Sequence, residues 1–414
     1  MKQVLSRRSL WIIGAAESVS GIGDWITMMA VLALLIFRGD GSVMASSGVF
    51  LAGLLPIMIF SPLAGWLVDR INRKTLLIGS QVLAGIVISG LVFTTRNELI
   101  YAILALEAVV LSVVSPTRQA VIPDLVNREE FEKANAFLMQ LSGLVKIFSP
   151  VIAGMVLSLM DPHAAILFDV ASFFVSAAIL CFLPSLPPHT DTSVKSARKE
   201  AANPMKVLQG IPTLRLLFVG VFFTTFIIVG FDVLSSIYTR DFLHQGEKVY
   251  GFAISLVGIG SLGATAALML RKKRSAPWKD IILGFVLLNV IPLTLVFSFH
   301  VGDLTMAMYL MMAACLIGGI GNSLAHVQIG TITQLVTPAP ILGQVSGWLQ
   351  MVMVSGQLIG MLLAPALVPG LVNMQTYFLG MVILLSFLIV FLSIQVSGKA
   401  RLIPGSVPSD GEVQ

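Results

Sequence analysis

Charge is scarce in this chain. Asp, Glu, Lys and Arg together make up 11% of the 414 residues, whereas a soluble domain carries about 25%. Hydrophobic residues make up 56%, and the mean hydropathy is +0.93. This composition excludes an ordinary soluble domain. The apolar stretches are continuous and about 20 residues long, as membrane-spanning helices require, which also excludes a membrane β-barrel built from alternating strands of roughly ten residues.

Cysteine is equally rare. The chain has two, Cys181 and Cys315, and both lie inside apolar runs. Two such thiols do not support a disulfide framework, so we expect both to be buried and inert. The chain also lacks a nucleotide-binding Walker sequence, which argues against ATP as the source of energy. We therefore expect no bound cofactor and no metal ion.

The apolar runs predict an all-α integral membrane protein with twelve transmembrane helices. The predicted spans are 10–37, 44–69, 75–95, 98–116, 133–160, 163–184, 214–238, 249–270, 280–299, 303–327, 344–367 and 374–396. With both termini in the cytoplasm, 21 of the 26 Lys and Arg residues fall on the cytoplasmic side, four fall outside and Lys146 lies within a span. This bias follows the positive-inside rule. It predicts a plasma (inner) membrane protein, and it explains the net charge of +5 without a nucleic-acid partner.

A long polar break divides the chain into two blocks of six helices. The predicted domains are an N-terminal bundle over 1–184, a cytoplasmic linker over 185–213, a C-terminal bundle over 214–396 and a cytoplasmic tail over 397–414. A short echo supports the division, because residues 122–126 after span 4 resemble residues 332–336 after span 10. Two pseudo-symmetric halves joined by a linker are typical of secondary transporters.

The loop after span 2 carries a motif that contains Gly65, Asp69, Arg70, Arg73 and Lys74. It reads Gly65-Trp66-Leu67-Val68-Asp69-Arg70-Ile71-Asn72-Arg73-Lys74, which resembles the loop 2–3 signature of the major facilitator superfamily. Asn72 stands where the signature has a glycine, and asparagine tolerates a positive φ, so we expect the turn to keep that conformation. The resemblance implies that Asp69 contacts the start of span 11, around residues 343–344, and locks the outward-facing state.

A second set of residues resembles the drug-efflux branch of that superfamily, which holds macrolide efflux pumps and enterobactin exporters. The matching positions are Pro116, Arg118, Pro123, Asn135 and Asp169. In span 5, the segment 149–154 with Pro150 and Gly154 resembles a degenerate antiporter motif, and a generic helix-packing seam is the alternative. The span 4 arginine of many proton-coupled drug antiporters is missing, since the charge in the middle of the predicted span is Glu107.

Ionisable residues at membrane depth give the strongest functional signal. They are Glu17, Asp24, Glu107, Lys146, Asp169 and Asp232. Each would cost about 2.5–3.5 kcal/mol or more if it faced lipid, so we expect them to face a cavity or one another. Glu107 and Lys146 predict an ion pair, either structural or switchable. We assign substrate or proton coupling to all of them except Asp169, for which we expect a structural hydrogen-bonding role, and the excess of carboxylates favours neutral or cationic cargo.

The residues and the resemblance together predict a transporter rather than an enzyme. We expect export of small amphipathic compounds, such as drugs, macrolides or siderophore-like metabolites, by proton antiport with alternating access. The expected partners are this substrate, protons and membrane lipids, and nothing in the sequence demands more than a monomer. A lysophospholipid flippase of the same fold is the alternative. A remote one is an intramembrane aspartyl protease, because Gly21-Ile22-Gly23-Asp24 matches a protease core that needs a second carboxylate, here Asp232.

Overall fold

The computed structural model describes residues 8–37, 43–187, 207, 210–245, 247–271, 277–368 and 370–397. Within these residues every regular element is helical. The first helices are α1 (Arg8–Phe37), α2 (Val43–Val68), α3 (Arg73–Ser89), α4 (Asn97–Leu111), α5 (Val114–Leu125), α6 (Phe131–Leu159) and α7 (Pro162–Leu180). The others are α8 (Pro212–Ile237), α9 (Glu247–Leu270), α10 (Pro277–Ser298), α11 (Leu304–Val336), α12 (Leu342–Leu367) and α13 (Met374–Ser397).

The helices have the length and composition that a bilayer requires. Eleven helical segments in the described residues are long and apolar enough to cross a membrane, and α1 adds a further apolar helix of 30 residues. Large hydrophobic side chains point away from the bundle, among them Phe93, 88% exposed, and Leu159, 82% exposed. Contiguous apolar surface of this kind suits lipid rather than water. The chain is a multi-pass membrane protein, as predicted.

The helices pack as two groups. In the first group α1 packs on α6 and α7, α3 packs on α7, and α2 packs on α4. In the second group α10 packs on α11 and α13, α9 packs on α11, and α8 packs on α12. The groups meet where α2 packs on α12 and α6 packs on α9, which are the second and fifth spans of each group. The predicted fold class of two pseudo-symmetric bundles is therefore confirmed.

The predicted domain boundaries stay predictions. Most of the linker over 185–213 lies outside the described residues, as does the tail over 397–414 after its first residue. We use the term linker end for the end of the bundle at which α7 ends and α8 begins. Since the helices alternate in direction, α2 also ends there and α12 begins there.

Span 4 differs from the prediction of 98–116. α4 ends at Leu111, the chain turns at Ser112 and Val113, and α5 continues to Leu125. Pro116 lies in the first turn of α5, where a backbone N–H has no helical partner to lose. The proline therefore lies at the start of a helix instead of ending one. As a result Arg118 lies in a membrane helix and not in a loop.

Span 10 also runs further than the predicted 303–327, because α11 continues to Val336. Its last turns carry polar residues such as Gln328, Thr331 and Gln334, all of which are buried against other helices. Because these residues are polar, hydropathy predicts that the span ends before them. Packing against other helices buries them, so the helix continues through them. Both members of the sequence echo therefore lie at the ends of helices, in α5 and α11, and not beyond the spans.

Candidate functional site

Helices of the first group line an open cavity of about 330 Å³. α1 contributes Glu17 and Asp24 to its wall, α3 contributes Gln81, α5 contributes Arg118 and α6 contributes Lys146. The structure thus places three of the residues assigned to coupling at one cavity. Their roles in transport stay predictions, but the convergence of ionisable residues on a cavity is what their position in the membrane demands.

Three carboxyl groups lie together beside this cavity. The oxygens of Asp24 on α1, Glu107 on α4 and Asp169 on α7 lie within 4.8 Å of one another. Asp169 is fully buried and accepts hydrogen bonds from Thr27, at 2.6 Å, and from Ser172, at 3.2 Å. These bonds fit the structural role that we expected for Asp169. The structure adds that its carboxylate also shares a site with Asp24 and Glu107.

A glycine on α1 makes this close approach of α7 possible. A Cβ atom at Gly23 would overlap the side chains of Asp169 and Ser172, and it would lie 3.0 Å from the Cα atom of Asp169. In this motif Asp24 supplies one carboxylate, and the missing side chain of Gly23 leaves room for the carboxylate of Asp169. This packing explains the Gly-x-Gly-Asp sequence without protease chemistry.

The predicted ion pair between Glu107 and Lys146 is wrong. Glu107 faces Asp24 and Asp169, while the side chain of Lys146 is exposed and makes no ion pair with any described residue. Lys146 instead lies within electrostatic range of Asp232 on α8 and His326 on α11, in the second group of helices. The sequence predicts that both residues lie near the middle of the membrane. The rotation of each helix about its axis, which the sequence does not predict, makes their side chains face different neighbours.

An ion pair that the sequence did not predict joins α1 to α5. Arg118 Nη1 donates to Glu17 Oε2 at 2.9 Å, and both side chains are partly buried at the cavity wall. The predicted span 98–116 contains no arginine, whereas the helix that continues it to Leu125 carries Arg118. The signal was present in the sequence, because Arg118 lies only two residues after Pro116, but the assignment of a loop after Pro116 concealed it.

At the linker end, Asp69 joins the two groups of helices. Its Oδ1 accepts from the N–H of Gly343 and its Oδ2 accepts from the N–H of Gln344, each at 2.9 Å. These amides belong to the first turn of α12, where unpaired N–H groups and the helix dipole favour a negative charge. The contact between Asp69 and residues 343–344 that the resemblance implied is confirmed.

The basic residues of the same motif hold the first group together. Arg73 is fully buried and pairs with Asp124 on α5, and Lys74 Nζ donates to the carbonyl oxygens of Cys181 and Leu183 at 2.7 Å each. Lys74 thus satisfies carbonyl groups at the C-terminal end of α7. Arg70 stacks over the Trp66 ring, with its guanidinium carbon 3.9 Å from the ring centroid.

Asn72 does not have the positive φ that we expected. Its φ is −58°, and its side-chain oxygen accepts from the N–H of Lys74 as the N-cap of α3. Asparagine is among the preferred N-cap residues because its side chain satisfies a free N–H at the helix start. The asparagine therefore replaces the glycine of the signature for capping rather than for backbone freedom.

Further polar contacts join the groups beside Asp69. Asn135 Nδ2 donates to Gln334 Oε1 at 2.8 Å, and Gln334 Nε2 donates to Gln119 Oε1 at 2.8 Å. Arg271, which follows α9, lies 3.5 Å from Glu132 and 2.5 Å from Asp280. The hydrogen bonds that Arg271 donates to Asp280 raise the pKa of Arg271 above its ordinary value. Asp69 thus closes the linker end where α2 meets α12, and Arg271 closes it where α6 meets α9.

The degenerate antiporter motif on α6 divides into two faces. Ser149 and Ala153 are fully buried, and Ala153 packs with Ile22 and Ile26 of α1. Gly154 is exposed, and no atom of the described part of the chain lies within 4 Å of a Cβ atom placed there. A small residue is therefore needed at Ala153, where α6 touches α1. No close approach of another helix explains Gly154.

Glycines allow α2 and α12 to touch near Asp69, and this contact supplies a testable prediction. A Cβ atom at Gly347 would overlap the carbonyl oxygen of Ser61 and lie 3.0 Å from the Cα atom of Gly65. We expect Gly347→Ala to separate the two helices and to open the linker end, because backbone atoms cannot move aside as a side chain does. The measurement is maleimide labelling of a Val327→Cys reporter, since Val327 is 1% exposed and packs between the groups. Cys181, which we expected to be buried, is exposed, so the reporter is placed in a Cys181→Ser background.

Gly154→Ala is the matched control for this change. It adds the same methyl group to a helix glycine that nothing contacts, so we expect reporter labelling and transport to stay at the wild-type level. Equal labelling of the reporter in wild type, Gly347→Ala and Gly154→Ala would contradict the close packing of α2 and α12.

Comparisons with known proteins agree with this architecture. A profile of the Major Facilitator Superfamily matches residues 13–355. An uncharacterized MFS-type transporter of Bacillus subtilis (strain 168), YfiS, is 23% identical over 363 residues, which cover 86% of each chain. Macrolide efflux protein A of Streptococcus pyogenes is 27% identical over 242 residues, which cover 56% of this chain and 59% of that protein.

A solved structure has the same fold. The crystal structure of a bacterial homologue of the iron transporter ferroportin in an outward-facing state superposes with a TM-score of 0.76 at 17% identity, covering 95% of this chain and 99% of that chain. The family profile spans most of the chain, and the two related sequences are a transporter and an efflux protein. The chain therefore belongs to the major facilitator superfamily and is a membrane transporter, not an enzyme.

Proposed function

We propose that this protein is a secondary active exporter of small amphipathic compounds, driven by protons that move in the opposite direction. The cluster of Asp24, Glu107 and Asp169 carries the proposal, because three carboxyl groups lie beside a cavity at membrane depth. The similar macrolide efflux protein A is by its name an efflux protein. We place the exporter in the plasma membrane with both termini in the cytoplasm, and we expect it to work as a monomer among membrane lipids.

The carboxylate cluster suits proton coupling for an electrostatic reason. Three negative charges within 4.8 Å of one another repel strongly, because the carboxyl groups of Glu107 and Asp169 are shielded from water. A bound proton relieves that repulsion. Asp24 is the member of the cluster that lines the cavity, so a proton that enters or leaves through the cavity reaches Asp24 first.

The mechanism that we propose is alternating access, in which the two groups of helices rock around a central site. In this structure the linker end is closed by the contacts of Asp69 with Gly343 and Gln344 and by the pair of Arg271 with Glu132. With the linker end in the cytoplasm, this closed arrangement corresponds to the outward-facing state. Release of both contacts would open the cavity to the cytoplasm.

Purified protein in proteoliposomes with a clamped pH gradient tests the proposal. We expect substrate-dependent proton movement with one chemical class from a panel of cationic dyes, macrolides and catecholate siderophores. Uphill export of that class should stop when the pH gradient is collapsed, because the proton supplies the driving force. An entrapped pH-sensitive dye reports the proton, and a radiolabel reports the exported compound.

Protein-free liposomes and a sodium gradient in place of the pH gradient are the controls. Uphill export that continues after collapse of the pH gradient contradicts proton antiport. A silent panel combined with movement of lysophospholipid between the leaflets would contradict the export of small compounds and support the flippase.

A further inference from the structure

Three acceptor oxygens at the cavity receive no hydrogen bond from the residues that the structure describes. They are Glu17 Oε1, Asp24 Oδ1 and Gln81 Oε1, each of which is buried, and all three residues line the cavity. Buried polar atoms in native proteins are almost always hydrogen-bonded. Gln81 is only 3% exposed, and its amide is uncharged. The lack of a donor at its oxygen therefore cannot be explained by hydration of a charged group. Three such acceptors around one cavity indicate a ligand that brings its own N–H donors.

Two donors at the cavity wall already have other acceptors. Arg118 donates to the other oxygen of Glu17, and Ser142 donates to the carbonyl oxygen of Leu138 at 3.1 Å. A positively charged group with several N–H donors would find unpaired acceptors and carboxylates on this wall. An ammonium group has these properties.

The same cavity has a basic residue that can bind the opposite charge. Lys146 lines the cavity, is exposed, and forms no ion pair with the residues that the structure describes. α1 and α6 touch at this level, because a Cβ atom at Gly21 would lie 3.2 Å from Val145. Acidic and basic side chains therefore face one small space from adjacent helices.

We infer that the cavity binds a small dipolar molecule, with its ammonium group on the wall that Glu17, Asp24 and Gln81 form and its carboxylate at Lys146. This inference rests on the proposed export function and names its substrate class. The volume of about 330 Å³ lies within the roughly 300–1,000 Å³ of ligand pockets and is large enough for a molecule the size of a dipeptide. The unpaired lysine narrows the earlier expectation of neutral or cationic cargo to cargo that carries both charges.

A series of three related compounds tests the inference. The probes are phenylalanyl-alanine, its N-acetyl form, which lacks the ammonium group, and its C-terminal amide, which lacks the carboxylate. We expect wild-type proteoliposomes to export the dipeptide about tenfold faster than either derivative, because each derivative loses one charge-assisted contact. Export is measured from loss of radiolabelled compound under the clamped pH gradient.

Two single substitutions assign each end of the molecule. Lys146→Gln should remove the preference for the dipeptide over its amide, and Gln81→Met should reduce the preference for the dipeptide over its N-acetyl form. We expect neither to lower the midpoint of thermal unfolding, because Lys146 has no ion pair among the described residues and Gln81 Oε1 has no donor to lose. Lys133→Gln is the matched control, since Lys133 lies on the same helix but is not part of the cavity wall.

The outcomes separate this inference from the proposed function. If the wild type moves protons with a dye or a macrolide but exports all three probes at equal rates, the dipolar site is wrong and proton-coupled export stands. If no compound of either panel is exported, the proposed function itself fails. If Lys146→Gln slows the dipeptide and its amide by the same factor, Lys146 does not bind the carboxylate and the inference is overturned.

Discussion

Exchange of Asp24 for asparagine is expected to abolish uphill export while substrate exchange at equal pH continues. Asparagine has the shape of aspartate but cannot carry a proton across the cycle, so Asp24→Asn removes the coupling step and leaves the cavity intact. The charge lost is one of three within 4.8 Å, and its Oδ1 has no hydrogen bond to lose. Relief of repulsion means that the midpoint of thermal unfolding should not fall.

Asp169→Asn is the control that separates coupling from structure. Asp169 accepts from Thr27 and Ser172 and is fully buried, so an amide NH₂ in place of one oxygen faces a hydroxyl donor. We expect this variant to unfold at a lower temperature than Asp24→Asn. Uphill export by Asp24→Asn at the wild-type rate would exclude Asp24 as the coupling residue, and a fall in its thermal stability to the level of Asp169→Asn would make its role structural.

The second large effect is expected at the linker end, where Asp69→Ala should release α12 from α2. Two backbone amides of α12 lose a charged acceptor at 2.9 Å. A hydrogen bond to a charged group contributes about 1.5–3 kcal/mol, so the closed state should lose about 3 kcal/mol or more. That loss corresponds to a shift of roughly a hundredfold toward states open at this end. Export should fall accordingly, because the cycle can no longer dwell in the outward-facing state.

Labelling of the Val327→Cys reporter measures this shift directly. We expect a maleimide to label the reporter much faster in Asp69→Ala than in the parent, since Val327 packs between the groups when the end is closed. Glu129→Ala is the matched control, because Glu129 is an exposed acidic residue at the same end of the molecule. A protected reporter and normal export in Asp69→Ala would show that the Asp69 contact does not hold the closed state.

Much of the fold could be predicted from the sequence because bilayer thickness fixes the length of each apolar run. The contact of Asp69 with α12 could be predicted from a motif, since the Asp69 carboxylate needs only the free N–H groups at the start of a helix as donors. The ends of α5 and α11 could not, because Pro116 and Gln328 look like boundaries to hydropathy but lie in packed helices. These boundaries are set by neighbouring helices that a one-dimensional pattern does not contain.

The sequence predicted which residues belong to the candidate site better than it predicted which of them contact one another. Glu17, Asp24 and Lys146 line one cavity, and the cost of a charge in lipid is enough to predict that. The partner of Glu107 was not predictable, because helices that are apolar on all sides carry no signal for their rotation about the axis. Depth in the membrane follows from the sequence, whereas direction follows from packing.

The two contacts that close the linker end have different chemistry, and this difference bears on how relatives of this chain diverge. Asp69 accepts from the backbone N–H groups of α12, so substitutions of the α12 side chain at Gln344 leave its partner in place, and Asp69 itself is the constrained position. Arg271 and Glu132 meet through their side chains, so a change in one selects for a change in the other. Across an alignment we expect a constant aspartate at position 69 and covariation between positions 132 and 271.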